Sequence, residues 1–535
     1  MKILVSDKIA KEGIDILKAE SGFEVDVKTD LKPDQLKACI GQYDGIVIRS
    51  ATKVTADVLA KPGNLKAIAR AGVGVDNVDI PTATRHGIVV MNAPDGNTIS
   101  TAELTIALMM AVSRQLAAAT ASLKGGQWDR KTFMGSQLSG KTIGVIGLGR
   151  VGSAVARRCL GLEMKVIGYD PFVAGDRELA KQVRLVDNLD DLLKEANYLT
   201  VHTPMTDETR GLIGKQELAR LPKGAIVINA ARGGIIDEAA LLEALNSGRV
   251  AGAGLDVYTS EPPQDRALVD HPKVVCLPHL GANTVEAQEG VAIDACHNIV
   301  DFLAGRELRN ALNVPSIVFA AAGELRPYAE LGHRMGAILA ALMHGRLRRL
   351  IVSYAGEIAD EPHQQVTISL VMGMLQRVIN TPINMVNALV VARENGVEIA
   401  ERTSGDAHGY VSAVRAVAEG DRESHSIYGT VFDRRRARIT AVDDFYMELK
   451  PEGDLVITYN EDLPGVIGEV GAAFGKHRIN IASMTFGRKL DTKEACIALT
   501  LDNVPPAEVM DELRAKPFMK SVCHVSLPPL QSERE

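Results

Sequence analysis

The run Thr142-Ile143-Gly144-Val145-Ile146, followed by Gly147-Leu148-Gly149-Arg150-Val151-Gly152, restricts the fold of this chain more than any other feature. Strand-forming residues lead directly into a glycine turn, and Ser153–Leu160 continues as a helix. A strand, a turn of three glycines and a helix amino terminus gather free backbone N–H groups at one point, which suits the pyrophosphate of a dinucleotide. The glycines let the backbone itself approach the phosphates. Asp170 ends the next strand, eighteen residues after Gly152, where its carboxylate can accept hydrogen bonds from adenosine ribose hydroxyls. Pro171-Phe172 follow, with no arginine to receive a 2′-phosphate, so the sequence predicts NAD as cofactor over NADP. A glycine-rich turn in an unrelated α/β protein is the alternative, and the register of all these parts argues against it.

Around this motif the first three hundred residues alternate β-rich runs with helical patterns, which predicts parallel sheets wound by helices. Ile3–Ser6, Gly45–Ile48, Ala67–Ala69 and Val89–Met91 read as one set of buried strands. Ile143–Ile146, Lys165–Tyr169, Tyr198–His202, Ala225–Asn229, Gly252–Asp256 and Val274–Leu277 read as a second. The fold class is therefore α/β with two doubly wound domains. The first is discontinuous, at 1–97 and 284–312, because a helix at Val285–Gly305 returns to it. The second, at 98–283, is inserted. After Asn313-Val314-Pro315 the pattern changes to an α+β domain at 313–452, with helices near Pro327–His344 and Gln364–Ile379 and another that ends at Asn395-Gly396. Antiparallel strands are expected there at Ser424–Phe432 and Phe445–Leu449. Residues 453–527 read β-α-β-β-α-β, the ferredoxin-like order, with a polar tail at 528–535.

A chain of 535 residues fits this division, since roughly 100–200 residues per domain gives about three or four domains. The net charge of −7 argues against nucleic acid or an anionic membrane as partner. Six scattered cysteines with no C-x-x-C pair exclude a zinc ribbon and disfavour a disulfide framework, so a cytoplasmic location is expected and no metal site is read. The amino-terminal apolar run stops at Asp7, too short for a signal peptide or a membrane helix of about 20 residues.

Ligands of doubly wound folds bind beyond the carboxyl ends of the strands. Arg232, Glu261 and His279 each follow a predicted strand there. A histidine suits the removal of a hydroxyl proton, a carboxylate can orient it, and an arginine can clamp a substrate carboxylate in a bidentate pair. A histidine after proline can equally be a loop residue, and an arginine before Gly-Gly can cap a turn. Spacing alone does not decide between these readings.

Gly147–Gly152 with Tyr169-Asp170-Pro171, Val201-His202-Thr203-Pro204, Asn229-Ala230-Ala231-Arg232-Gly233-Gly234, Leu255-Asp256-Val257, Glu261-Pro262-Pro263 and Pro278-His279-Leu280-Gly281-Ala282 resemble, in this order, the D-isomer-specific 2-hydroxyacid dehydrogenases. The resemblance implies that Arg232, Glu261 and His279 are catalytic. It also implies cofactor contacts for Gly147, Gly149, Arg150, Val151, Gly152, Asp170, Thr203, Ala230, Asp256, Gly281 and Ala282, and leaves His202 structural. Ile48–Thr55, Ala69–Asp79 and Met91–Thr98 resemble the members that act on 3-phospho-D-glycerate. Arg49 and Arg70 each end a strand facing the cleft, and a phosphate dianion wants two such cations; surface ion pairs are the alternative. The Gly72-Val73-Gly74 turn can offer backbone N–H groups, from Val73 and Gly74, to the substrate carboxylate. Relatives acting on glyoxylate, hydroxypyruvate or 2-oxoglutarate, and relatives that keep the fold as transcriptional co-repressors, are the competing expectations.

In that family the segment around Trp128 belongs to a dimer arm, so a homodimer or homotetramer is expected, with core packing of Trp128 as the alternative. Asn460-Glu461-Asp462-Leu463-Pro464-Gly465 with Ile479-Asn480-Ile481 resembles the ACT module, which binds amino acids. This makes Asn460, Asp462 and Asn480 candidate contacts for L-serine as an effector, unless the module serves assembly alone. Residues 314–450 resemble the intervening domain of long-form members, and Arg434-Arg435-Arg436 with Arg438 is either an anion site or a solvated hairpin face.

Overall fold

The computed structural model describes residues 1–172, 179–314, 325–379, 381–489 and 491–533. Pro315, where the sequence pattern changes, and the last two residues of the tail lie outside them. Short apolar runs form the first sheet: β1 (Lys2–Val5), β2 (Glu24–Val27), β3 (Gly45–Ile48), β4 (Ala67–Arg70) and β5 (Val89–Met91). They are parallel, in the order β2-β1-β3-β4-β5. β3 is buried along its whole length, as a strand covered on both faces must be. Only β2 departs from the expected strands. It is an edge strand whose acidic residues interrupt the apolar pattern.

The second sheet holds β6 (Thr142–Ile146), β7 (Lys165–Tyr169), β8 (Arg184–Leu185), β9 (Tyr198–Val201), β10 (Ala225–Asn229), β11 (Val250–Leu255) and β12 (Val274–Cys276). Their order is β12-β11-β10-β9-β6-β7-β8, all parallel. The strand order reverses between β6 and β9, and a crevice opens there beyond the carboxyl ends. The chain enters this sheet through helix Thr98–Ser113 and leaves it through helix Val285–Leu303, which packs against β3 and β4 with Val291, Ala295 and Ile299 in the shared core. The two crossings nearly touch: a Cβ on Gly96 would stand 2.7 Å from the Val291 nitrogen.

The third sheet is mixed, with β13 (Leu347–Gly356), β14 (Glu398–Ser404), β15 (Ser412–Gly420), β16 (Ser424–Phe432), β17 (Arg436–Val442) and β18 (Phe445–Leu449) in the order β14-β13-β15-β16-β17-β18. Helices Arg326–Leu342 and Gln364–Val378 pack against each other and share its core. β16 and β18 have the expected bounds. The other four strands carry arginines or lie at an edge, so their apolar signal is weak.

β19 (Gly453–Glu461), β20 (Ile481–Lys489), β21 (Glu494–Leu501) and β22 (Met519–Leu527) form an antiparallel sheet in the order β20-β21-β19-β22. Helices Val466–Lys476 and Ala507–Arg514 join strands in the expected ferredoxin-like order and pack with Val456, Ile497 and Leu499. Residues on the opposite sheet face, Leu455, Ile457, Cys496, Ala498, Val525 and Leu527, share a core with Leu331 and Met335 of the preceding unit. The tail is docked too. Leu530 is 1 % exposed, the Gln531 and Ser532 N–H groups donate to Glu330 at 2.8 and 3.1 Å, and Glu533 pairs with Arg438 at 2.5 Å and Lys450 at 2.8 Å. Among the described residues no single helix is long and apolar enough to cross a membrane.

Candidate active site

The glycine turn sits between the ends of β6 and β9. Gly147 adopts φ +86°, and a Cβ on Gly152 would fall on the Gly147 carbonyl oxygen, so helix Arg150–Gly161 rests directly on the turn. At Gly149 a Cβ would meet nothing within 4 Å. Asp170, at the end of β7, accepts from the Leu148 N–H at 2.8 Å and the Phe172 N–H at 2.9 Å, fixing the turn from the far side. Next to it lies a cavity of about 440 Å³ whose lining includes Arg150, Val151, Thr203, Ala230, Asp256, Gly281 and Ala282. Asn97 Oδ1, His202 Nδ1 and Thr203 Oγ1 are buried in this region without a hydrogen-bond partner, and all three residues line the cavity. Open backbone at the turn and unpartnered polar atoms in the wall fit a dinucleotide. Burial pushes the His202 imidazole down to about 4, so it stays neutral, with Nε2 3.0 Å from Thr200 Oγ1.

Asp256 is fully buried and organises the loop that follows β12. Its two oxygens accept from Leu280 N–H at 2.7 Å and Gly281 N–H at 2.8 Å, and its carbonyl accepts from His279 N–H. Burial raises the pKa of this carboxyl although both N–H groups oppose the shift. Ser100 and Thr101 donate to the Gly281 carbonyl from the entering helix. His279 takes a left-handed backbone, φ +58°, and its Nδ1 lies 2.7 Å from Glu261 Oε2. The hydrogen bond that His279 donates to Glu261 raises the histidine pKa against burial. Burial works to raise the Glu261 carboxyl, but His279 holds it below the ordinary glutamate value.

A second cavity of about 1030 Å³ borders the first, and Gly74, Arg232 and His279 line both. Arg49, Lys53, Arg70 and Arg232 all line it, together with Glu261. Arg232 lies so close to the Gly74 backbone that a Cβ there would overlap its guanidinium, and its Nε is 3.5 Å from Asp76 Oδ2. Burial pulls Arg70 down to about 10, and the neighbouring Arg232 and Arg49 charges act in the same direction. Val73 lines both cavities, and its carbonyl accepts from Asn92. Sequence reasoning missed Lys53, Asp76 and Asn77. Lys53 is a cation four residues from Arg49 in the same loop, a signal that was available. Asp76 and Asn77 are ordinary turn residues until the fold places them.

The three residues expected to meet an amino-acid effector do not converge within one chain. Asn460 pairs with Ala495 at one end of the fourth sheet, near Asp462, whereas Asn480 precedes Ile481, which pairs with Leu501 at the other end. The reason is the split βαβ order: β19 and β20 run parallel, so the end of one and the start of the other lie at opposite ends of the sheet. Asp462 is paired with Arg488 at 2.6 Å, and Asn480 donates to Asp502 at 2.7 Å. In the basic hairpin Arg436 pairs with Asp433, and Arg438 with Glu448 and Glu533.

This is the architecture of a dehydrogenase class: the family model described as D-isomer specific 2-hydroxyacid dehydrogenase, NAD binding domain, matches residues 106–281. The chain is also similar to a glyoxylate reductase from Paecilomyes thermophila of known structure, at 29 % identity and TM-score 0.54, covering 58 % of this chain and 98 % of that one. A second model, the D-3-phosphoglycerate dehydrogenase intervening domain, matches residues 324–443. Over nearly full length the chain is 44 % identical to the D-3-phosphoglycerate dehydrogenase of Archaeoglobus fulgidus (96 % of this chain, 97 % of that one). It is 40 % identical to that of Bacillus subtilis (98 % and 100 %). The chain belongs to the D-3-phosphoglycerate dehydrogenase family.

Proposed function

We propose that this chain oxidises 3-phospho-D-glycerate at C2 to 3-phosphooxypyruvate with NAD, the first committed step towards L-serine. The observation that carries the reading is the convergence of Arg49, Arg70, Arg232 and Lys53 on one cavity beside the His279–Glu261 pair. A substrate with a carboxylate at one end and a phosphate at the other matches that many cations, and a plain hydroxy acid does not. The full-length relatives named D-3-phosphoglycerate dehydrogenase support the same substrate.

NAD, when bound, supplies the hydride acceptor. Gly147–Gly152 and Arg150 would hold its pyrophosphate, Asp170 its ribose, and Val151, Thr203, Ala230, Asp256, Gly281 and Ala282 the rest of the cleft. Arg232 and the Val73–Gly74 backbone hold the substrate carboxylate, and Arg49, Arg70 and Lys53 hold the phosphate. Because Nδ1 of His279 is engaged by Glu261, Nε2 is the atom left to take the C2 hydroxyl proton, and Glu261 stabilises the resulting imidazolium.

The units are read as substrate domain (1–97 and 284–312), nucleotide domain (98–283), intervening domain (313–452) and ACT-type domain (453–527). Trp128 is 80 % exposed, with Leu123 and Met134 also exposed in the same stretch. This apolar surface favours a homodimer over core packing of Trp128. L-serine is the expected effector, at a site drawing on Asn460 and Asp462 of one chain and Asn480 of another. The scattered free cysteines favour a cytoplasmic enzyme. NADH formation from 3-phosphoglycerate and from D-glycerate, each with and without L-serine, tests these points. Equal kcat/KM on the two substrates would refute the substrate assignment.

A further inference from the structure

Arg49 and Arg70 leave adjacent strands, where Ile48 of β3 pairs with Arg70 of β4. Like charges repel there: burial lowers the Arg70 pKa most, and the Arg232 and, to a lesser extent, Arg49 charges add to it against Asp76. The Arg49 guanidinium donates from Nη1 to the Lys8 carbonyl at 3.2 Å. Asn77 ties the Arg49 backbone to the Arg70 side chain. Its Oδ1 accepts from Arg70 Nε at 3.1 Å, while its Nδ2 donates to the Arg49 carbonyl at 2.6 Å and the Thr52 carbonyl at 2.6 Å. Its own carbonyl accepts from Val54 N–H at 2.8 Å. On the other side of the same turn, the buried Asp7 accepts from Arg49 N–H at 2.5 Å and Thr52 N–H at 3.2 Å.

We propose that Asn77 is a positioning residue that sets the separation of Arg49 and Arg70 and thereby selects a phosphorylated substrate. The proposal rests on the assignment of those arginines to phosphate made above. Both amide hydrogens and the amide oxygen of Asn77 are engaged by protein, so it acts through the arginines. Using Nε of Arg70 as the tether leaves the terminal NH1 and NH2 edge for the ligand, the edge that matches phosphate oxygens. An aspartate here would keep the acceptor but lose both donors to the 49–52 turn.

Asn77→Ala should raise KM for 3-phosphoglycerate about tenfold, with kcat within about twofold, because orientation of the bound phosphate is what is lost. On D-glycerate, kcat/KM should stay within about twofold, and NADH binding should not change. In an Arg70→Ala background the same substitution should cost little more, since the two residues act as one unit. Equal losses on both substrates, or additive losses in the double variant, would overturn the proposal while leaving the substrate assignment intact. If Arg70→Ala itself harms both substrates equally, the substrate assignment fails and the proposal with it. Should Asn77→Ala not fold, as judged by lost NADH binding, Asn77→Ser carries the same test, being polar but too short to span all three partners.

Discussion

In the proposed mechanism a proton taken by His279 is held by the charge of Glu261, and this would set the pH behaviour of the site. The glutamate raises the histidine pKa above its ordinary value, so the neutral imidazole needed for oxidation appears only as pH rises through the raised value. The acidic limb of the kcat/KM profile should therefore lie above 6.5. Glu261→Gln should move it to lower pH, and a limb that does not move would exclude Glu261 as the cause. His279→Ala should lower kcat by about 10²–10⁴-fold with NADH affinity retained. Stability runs the other way for this histidine. Its contribution is complete below its unfolded pKa and is lost as pH rises through the folded one, while that of Glu261 is lost as pH falls through its depressed value. Gly74 offers a steric test. In Gly74→Ala the new methyl would overlap the Arg232 guanidinium, so kcat/KM should fall at least about 10²-fold by displacement of the clamp. Near-normal kcat/KM would show that the clamp tolerates the shift.

The element proposed to read the cofactor is β6, the glycine turn and the following helix, with Asp170 directly after β7. Sequence carries this unit almost completely, because strand, turn, helix and acid are local and their order is enforced by backbone chemistry. The structure adds that Asp170 also braces the turn through Leu148 N–H. Asp170→Ala should consequently weaken NAD and narrow the NAD over NADP ratio of kcat/KM, since the carboxylate repels a 2′-phosphate. Equal kcat/KM for the two cofactors in the unaltered enzyme would contradict this assignment. Elements at sheet edges were less legible. β2, β8 and β14 carry charges where they meet solvent, and β17 begins inside a run of arginines. Their strand state comes from pairing with neighbours, which no local pattern records.

At the scale of the whole molecule, the carboxyl-terminal sheet is built onto the unit before it. Leu455, Ile457, Cys496, Ala498, Val525 and Leu527 face that unit, and the tail ties Leu530 and Glu533 to the same body. Uncovering each of the leucines, the isoleucine and the valine costs about 1.5–3 kcal/mol. Deleting residues 453–535 is therefore expected to lower the melting temperature and promote aggregation, and it cannot serve as a clean removal of effector binding. Unchanged melting of the truncated chain would argue against the shared core. The effector is better tested by calorimetry with L-serine on Asp462→Ala, where heat present in the intact chain should vanish. No heat in the intact chain would reduce this domain to an assembly device.

Sequence by itself determined the two wound sheets and the glycine turn, because each rests on a pattern local to a few residues. It offered Arg232, Glu261 and His279 only as candidates at strand ends, with their catalytic roles implied by the family resemblance. The ferredoxin-like order read from the sequence also puts Asn460 and Asn480 at opposite ends of one sheet, because β19 and β20 run parallel, so an effector site using both needs two copies. Sequence could not single out Asn77, Asp76 or Asp7. An asparagine becomes a tether only when packing brings Arg49, Thr52 and Arg70 within hydrogen-bond reach of one amide, and that proximity is set by the tertiary fold.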